Sequence, residues 1–170
     1  MIICDIEVRS KRWLELSNPE ELVEKIVKKL IPLTDLKEII TKDFTLELAI
    51  SLVSNAQIKK INSAFRGKDK ATNILSFPNL DHEMIRQQGL KSLTQNSDYF
   101  CAGDIVISYD KLKSEAKKQN KSFNCHLTHL ILHSILHLIG YDHEEDIQAK
   151  EMESLEIKIL ESLNIKNPYQ

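Results

Sequence analysis

The sequence predicts an α+β fold: a single domain over residues 1–170 in which a mixed four-stranded sheet packs on helices. Three observations predict it. Strand-like segments fall mostly in the first two thirds of the chain, and helical periodicity fills the last third. A length of 170 residues suits one domain, large enough to bury well over half of its unfolded surface. Hydrophobic residues at 42% and charged residues at 28% match an ordinary globular protein and argue against global disorder.

Along the chain, residues 2–8 alternate and are rich in branched side chains, the pattern of a strand. Pro19 after Asn18 opens a helix through Leu30, with an apolar stripe of Leu22, Val23, Ile26, Val27 and Leu30. Residues 44–53 read as the second strand. Ser54-Asn55 then starts a helix whose stripe is Ile58, Ile61 and Phe65. Residues 73–77 and 100–108 are the third and fourth strands, and 79–99 between them is a polar loop of a length found mainly where loops are functional or mobile. Helices follow at 109–119, 122–139 and 146–163, the last with Met152, Leu155, Ile159, Leu160 and Leu163 facing inward.

No segment approaches the roughly 20 apolar residues of a membrane span, so an integral membrane helix is excluded. Residues 1–7 carry no basic region followed by a long apolar stretch, so no secretory leader is expected. Three widely spaced cysteines, Cys4, Cys101 and Cys125, fit reduced thiols in a cytoplasmic protein and read as small core residues. The net charge of −2 gives no global reason for nucleic-acid binding, but the charge is unevenly spread. Lys59, Lys60, Arg66, Lys68 and Lys70 stand against Asp69 alone, and a second basic cluster runs from Lys111 to Lys121. Residues 142–161 are strongly acidic. Either kind of run reads equally as a solvated helix face.

The chemistry concentrates in His133-Ser134-Ile135-Leu136-His137-Leu138-Ile139-Gly140-Tyr141-Asp142-His143. Histidines four apart on a helix share a face, about 40° out of phase. A continuing helix would carry His143 about 15 Å beyond His133 on another face, so the chain must turn back. Gly140 supplies that turn as a residue that tolerates a left-handed conformation. Three imidazoles with an open fourth position suit one Zn²⁺ ion per chain, with the ligand count of a catalytic site. Closure by Cys125 is not expected, because it lies about 12 Å along the helix from His133. The plainer alternative is three polar side chains on a buried helix. His126 and His129 continue the same face and read as neighbours of the site, core residues or surface residues; His82, in the polar loop, reads as solvated.

This run resembles the metal signature of the YbeY-type rRNA maturation factors, HGxLHLxGYDH. Phe65-Arg66-Gly67-Lys68-Asp69-Lys70-Ala71-Thr72-Asn73-Ile74-Leu75-Ser76-Phe77-Pro78 looks like that family's second signature, and Gly103-Asp104-Ile105-Val106-Ile107 like its third, in the family's order. The resemblance extends from the Trp13 segment to the final helix. It implies a zincin-like metal helix, zinc held by His133, His137 and His143, and Arg66 facing a substrate channel. It further implies single-strand-specific endoribonuclease activity in rRNA (16S 3′ end) maturation and ribosome quality control. The implied partners are single-stranded RNA and ribosomal particles or proteins, with no membrane and no DNA. Two positions depart: Ser134 stands where the family has glycine, and Asn73 where it has aspartate, which removes a negative charge near Arg66.

Phosphodiester hydrolysis needs an activated water and stabilisation of charge on the phosphate. His137 belongs to the machinery as a ligand, and Arg66, planar and permanently charged, is the candidate for the phosphate, with Lys68 assisting by steering. An ion pair of Arg66 with Asp69 or Asp104 is the competing reading on spacing alone. A peptidase is disfavoured, because Ser134 occupies the position where HExxH enzymes place their glutamate base. Asp142, Glu144 and the RNA 2′-hydroxyl remain open as general base, while Asp142 is expected to hydrogen-bond and position His143. The second functional reading is a non-catalytic, metal-stabilised RNA-binding ribosome assembly factor.

Overall fold

The computed structural model describes residues 1–40 and 43–170. Four strands, β1 (Ile2–Val8), β2 (Thr45–Val53), β3 (Ile74–Pro78) and β4 (Tyr99–Ser108), form one mixed sheet in the order β1-β2-β4-β3. β1, β2 and β4 run parallel, and β3 is an antiparallel edge strand. The helices are α1 (Pro19–Leu30), α2 (Asn55–Arg66), α3 (His82–Gln88), α4 (Leu90–Thr94), α5 (Tyr109–Lys118), α6 (Phe123–Leu138) and α7 (Asp146–Ser162), with short 3-10 turns at Lys11–Glu15, Ile31–Leu33 and Asp35–Glu38. The expected α+β class is the observed one; β1 has the expected bounds, β2 and β4 differ by one residue at the start, and β3 is shifted by one residue.

The strands alternate because one face of the sheet covers the core. Leu46, Leu48, Ile50 and Leu52 of β2 are buried together with Phe100, Ile105 and Ile107 of β4. Phe100 and Ile105 are an odd number of residues apart and would face opposite sides of a regular strand. A bulge reconciles them: Glu47 pairs with Cys101 and Leu48 with Gly103, so Ala102 is the extra residue. Gly103 carries φ of +134°, and a Cβ there would lie 2.2 Å from the Phe77 carbonyl oxygen of β3. Only glycine permits this approach. Gly103→Ala is expected to cost about 3 kcal/mol from backbone strain and overlap, read as a lowered urea midpoint; an unchanged midpoint would refute the bulge geometry.

Most of α6 is buried, and it packs against β3, β4, α1, α5 and α7. Trp13 is fully buried, donates from Nε1 to the Val53 carbonyl (3.2 Å), and meets Tyr109 edge-to-face at 5.3 Å. A smaller cluster of Val53, Ile58, Leu75 and Val106 seats α2 against the sheet. α2 begins with a capping box between Ser54 and Gln57 and ends at Gly67 in the left-handed region (φ 65°).

Three sequence expectations are corrected. Residues 79–99 are not a featureless loop: Asp81 caps α3, and Ile85 and Leu90 anchor α3 and α4 in the core. The helices are short, polar on most faces and divided by Gly89, so their periodicity is weak. The cysteines are free but only partly buried; Cys101 points away from the core face because it precedes the bulge. Phe65, assigned to the buried stripe of α2, is 73% exposed, since the stripe ends with Ile61.

Candidate metal centre

α6 presents His133 and His137 one turn apart, and the chain then reverses. The helix ends at Leu138, and Gly140 adopts φ of 95° with the Gly140 and Tyr141 amides donating to His137 O and Leu136 O (both 3.1 Å). The Tyr141 hydroxyl anchors the reversed segment on Asp35 at 2.7 Å. His143 is thereby returned to the pair, with ring centroids 5.4 Å from His133 and 4.9 Å from His137. One ligand atom from each of the three lies within 4.8 Å of the others.

The remaining ring nitrogens define the proton positions. His137 Nδ1 lies 2.9 Å from the Tyr141 carbonyl, which can only accept, so Nδ1 carries the proton and Nε2 is bare. His133 Nδ1 lies 2.8 Å from the Glu156 carboxylate, which accepts from it and turns Nε2 towards the site. The two Nε2 atoms face each other at 3.1 Å. At that distance the two nitrogens share a proton in the metal-free protein or a metal ion held jointly with His143. A tetrahedral zinc ion with nitrogen at about 2.0–2.1 Å spaces its ligands about 3.3 Å apart, close to the His133–His137 separation of 3.1 Å, with His143 within 4.8 Å of both. Burial, reinforced by His133 and His143, pushes the His137 pKa down to about 4, so the ring is neutral and able to ligate near pH 7.

Glu156 of α7 is the residue that sequence reasoning missed. It lies fully buried, accepts from His133 Nδ1 and from the Tyr169 hydroxyl, and approaches His129 Nε2 at 3.5 Å, outside hydrogen-bond alignment. Burial alone pushes its carboxyl up, but the two imidazoles and the Tyr169 hydroxyl outweigh this and hold it at about 2. Its signal was an acid on the stripe of Met152, Leu155 and Ile159. Tyr169 had no such signal: the tail is brought in by tertiary structure, with Lys121 Nζ holding the Pro168 carbonyl at 2.8 Å.

The histidines open onto a groove of about 650 Å³ whose lining includes Arg66, Asn73, His82, Asp142, Glu144 and Tyr169. Arg66 therefore shares the groove with the triad; among the described residues it makes no ion pair, and Asp69 instead meets Lys59 at 3.3 Å. Lys68 lies exposed outside the lining. His82 is not freely solvated: its Nε2 is buried without a partner at the groove. Asp142 accepts from the backbone N–H of His143 (2.7 Å), so its bond positions the chain.

Both departures have local partners. The buried Ser134 hydroxyl is 2.8 Å from Ser76 Oγ of β3, which satisfies it. Asn73 Nδ2 donates to Glu115 Oε2 at 2.9 Å, and His126 Nε2 lies 3.0 Å from the same oxygen. An aspartate at 73 would set two carboxylates together. Asn73→Asp is expected to cost about 1–3 kcal/mol at pH 7, with the loss shrinking as pH falls into the carboxylate range; parallel urea titrations at pH 7 and pH 4 check this.

A family model described as Endoribonuclease YbeY matches residues 6–164. Proteins named Endoribonuclease YbeY from Francisella philomiragia and Francisella tularensis subsp. novicida are each 48% identical over 123 residues, which is 72% of this chain and 73% and 71% of theirs. The solution structure of TM1509 from Thermotoga maritima shares the fold, with a TM-score of 0.56 at 24% identity, covering 95% of this chain and 92% of that one. With the match running through every element from β1 to α7, the chain belongs to the Endoribonuclease YbeY family.

Proposed function

We propose that this protein is a zinc-dependent, single-strand-specific endoribonuclease acting in 16S rRNA 3′-end maturation and ribosome quality control, in the cytoplasm and in contact with ribosomal particles. The observation that carries the catalytic part is the convergence of three imidazoles, with two Nε2 atoms 3.1 Å apart and His143 beside them, in a groove shared with Arg66. The RNA substrate is supported by family membership, and the ribosomal assignment by the resemblance of the three signatures. No helix among the described residues is long and apolar enough to cross a membrane.

His133, His137 and His143 would hold the ion. When bound, zinc supplies an activated water near neutral pH and polarises a phosphoryl oxygen. Glu156 and the Tyr141 carbonyl fix the tautomers of His133 and His137, which keeps both donor lone pairs directed at one point. Arg66 binds the phosphate and stabilises the charge that develops on it. Asp142 and Glu144 bring two carboxylates to the groove for proton transfer. Lys68 contributes long-range steering from outside.

The test is cleavage of an end-labelled single-stranded RNA before and after chelation, with zinc resupplied and RNA binding followed in parallel. Cleavage should vanish with the metal and return with zinc while RNA is still bound. RNA bound but never cut under any of these conditions would favour the assembly-factor reading.

A further inference from the structure

Phe65 lacks an explanation within the fold. It is 73% exposed in the last turn of α2, beside Arg66, and both residues line the histidine groove. The two exposed tyrosines have polar anchors, Tyr99 on Glu47 and Tyr169 on Glu156. Phe65 has no polar atom to place, so exposure gains it nothing in water. Its position is nonetheless held. Its ring meets Phe77 at 5.3 Å and 63°, and Phe77 is itself half-buried against the small cluster under α2. A T-shaped pair covers at most one face of either ring, which leaves Phe65 a free face. Gly67 ends the helix immediately afterwards and turns the chain away.

We propose that Phe65 is a stacking platform for a nucleobase of single-stranded RNA lying in the groove. This rests on the ribonuclease reading and names a further substrate contact for it. A nucleic acid whose phosphate meets Arg66 carries its bases within reach of the adjacent side chain, and every base has a π-face that an aromatic ring accepts. Stacking on a protein ring requires a base free of its own stack. A duplex must break pairing to supply one, so the platform favours single strands without reading sequence. Arg66 then positions the backbone and Phe65 the base, a division that neither residue achieves alone.

The experiment compares wild type, Phe65→Ala and Phe65→Trp for equilibrium binding, in chelator, to a short single-stranded RNA and to an abasic ribose-phosphate chain of equal length. Cleavage of the normal RNA with zinc is scored separately. Phe65→Ala should bind the normal RNA about 5- to 150-fold more weakly and the abasic chain as wild type does. Phe65→Trp should bind like wild type, with its new indole fluorescence quenched by the RNA. The platform is overturned if Phe65→Ala binds normal RNA unchanged or loses both ligands equally. In either case wild-type cleavage survives, whereas a wild type that neither binds nor cuts RNA removes the ribonuclease reading itself. Because the ring's contact within the fold is the Phe77 edge, Phe65→Trp should melt with wild type and Phe65→Ala within a few degrees of it.

Discussion

Replacing His137 by alanine should abolish RNA cleavage, by at least about 10³-fold, while leaving RNA affinity within about twofold. His137 stands at the centre of the triad: its Nε2 faces His133 at 3.1 Å and its ring centroid lies 4.9 Å from His143. Without it the remaining two imidazoles are a weak chelate. The Arg66 side chain is untouched, so the phosphate contact proposed for it should persist and hold the affinity. Purifying mutant and wild type in parallel controls for contaminating nucleases, and equal cleavage by both preparations would show that the metal site is misassigned. If the triad is instead a structural staple, the same change should lower the melting temperature and the RNA affinity together.

Glu156→Gln is the second change with a large expected effect. The buried carboxylate accepts from His133 Nδ1 and from Tyr169, and an amide of the same shape offers one acceptor oxygen in place of two. Loss of the charge also lowers the basicity of the His133 donor. Zinc affinity should fall about 10- to 100-fold, measured by competition with a chromophoric chelator. Unchanged affinity would show that the buried acid serves packing alone. The metal-free protein gives an independent readout through pH. A carboxyl held at about 2 stabilises the fold above its unfolded value of 4.5, and this is lost as pH falls through 2. The stability gap between wild type and Glu156→Gln should therefore be full above pH 4.5 and close towards pH 2. His137, neutral in the fold down to about 4, adds a decline between pH 6.5 and 4 in both proteins, because the unfolded chain takes up that proton first.

The triad was legible because its grammar is local. Helical phase joins His133 to His137, and a single glycine at 140 reverses the chain to return His143. The strand alternation of residues 2–8, the Ser54 cap and the stripe of α1 are readable for the same reason: each concerns a segment's own axis. The short helices α3 and α4 were hidden because so few apolar residues mark them.

Contacts between segments followed a different logic. Glu156 meets His133 across 23 positions, and Ser76 meets Ser134 across 58, at separations where no periodicity relates the partners. Asn73 looked like a lost charge until Glu115 appeared beside it, and Phe65 looked like core until α2 ended at the groove. The sequence by itself determined the α+β class, the helix carrying two histidines and the glycine that returns the third, since backbone propensity and apolar phase are properties of neighbouring residues. Tertiary structure alone decided which acid orients His133, which groove Arg66 lines and which aromatic stays exposed, because packing brings together side chains that the chain keeps far apart.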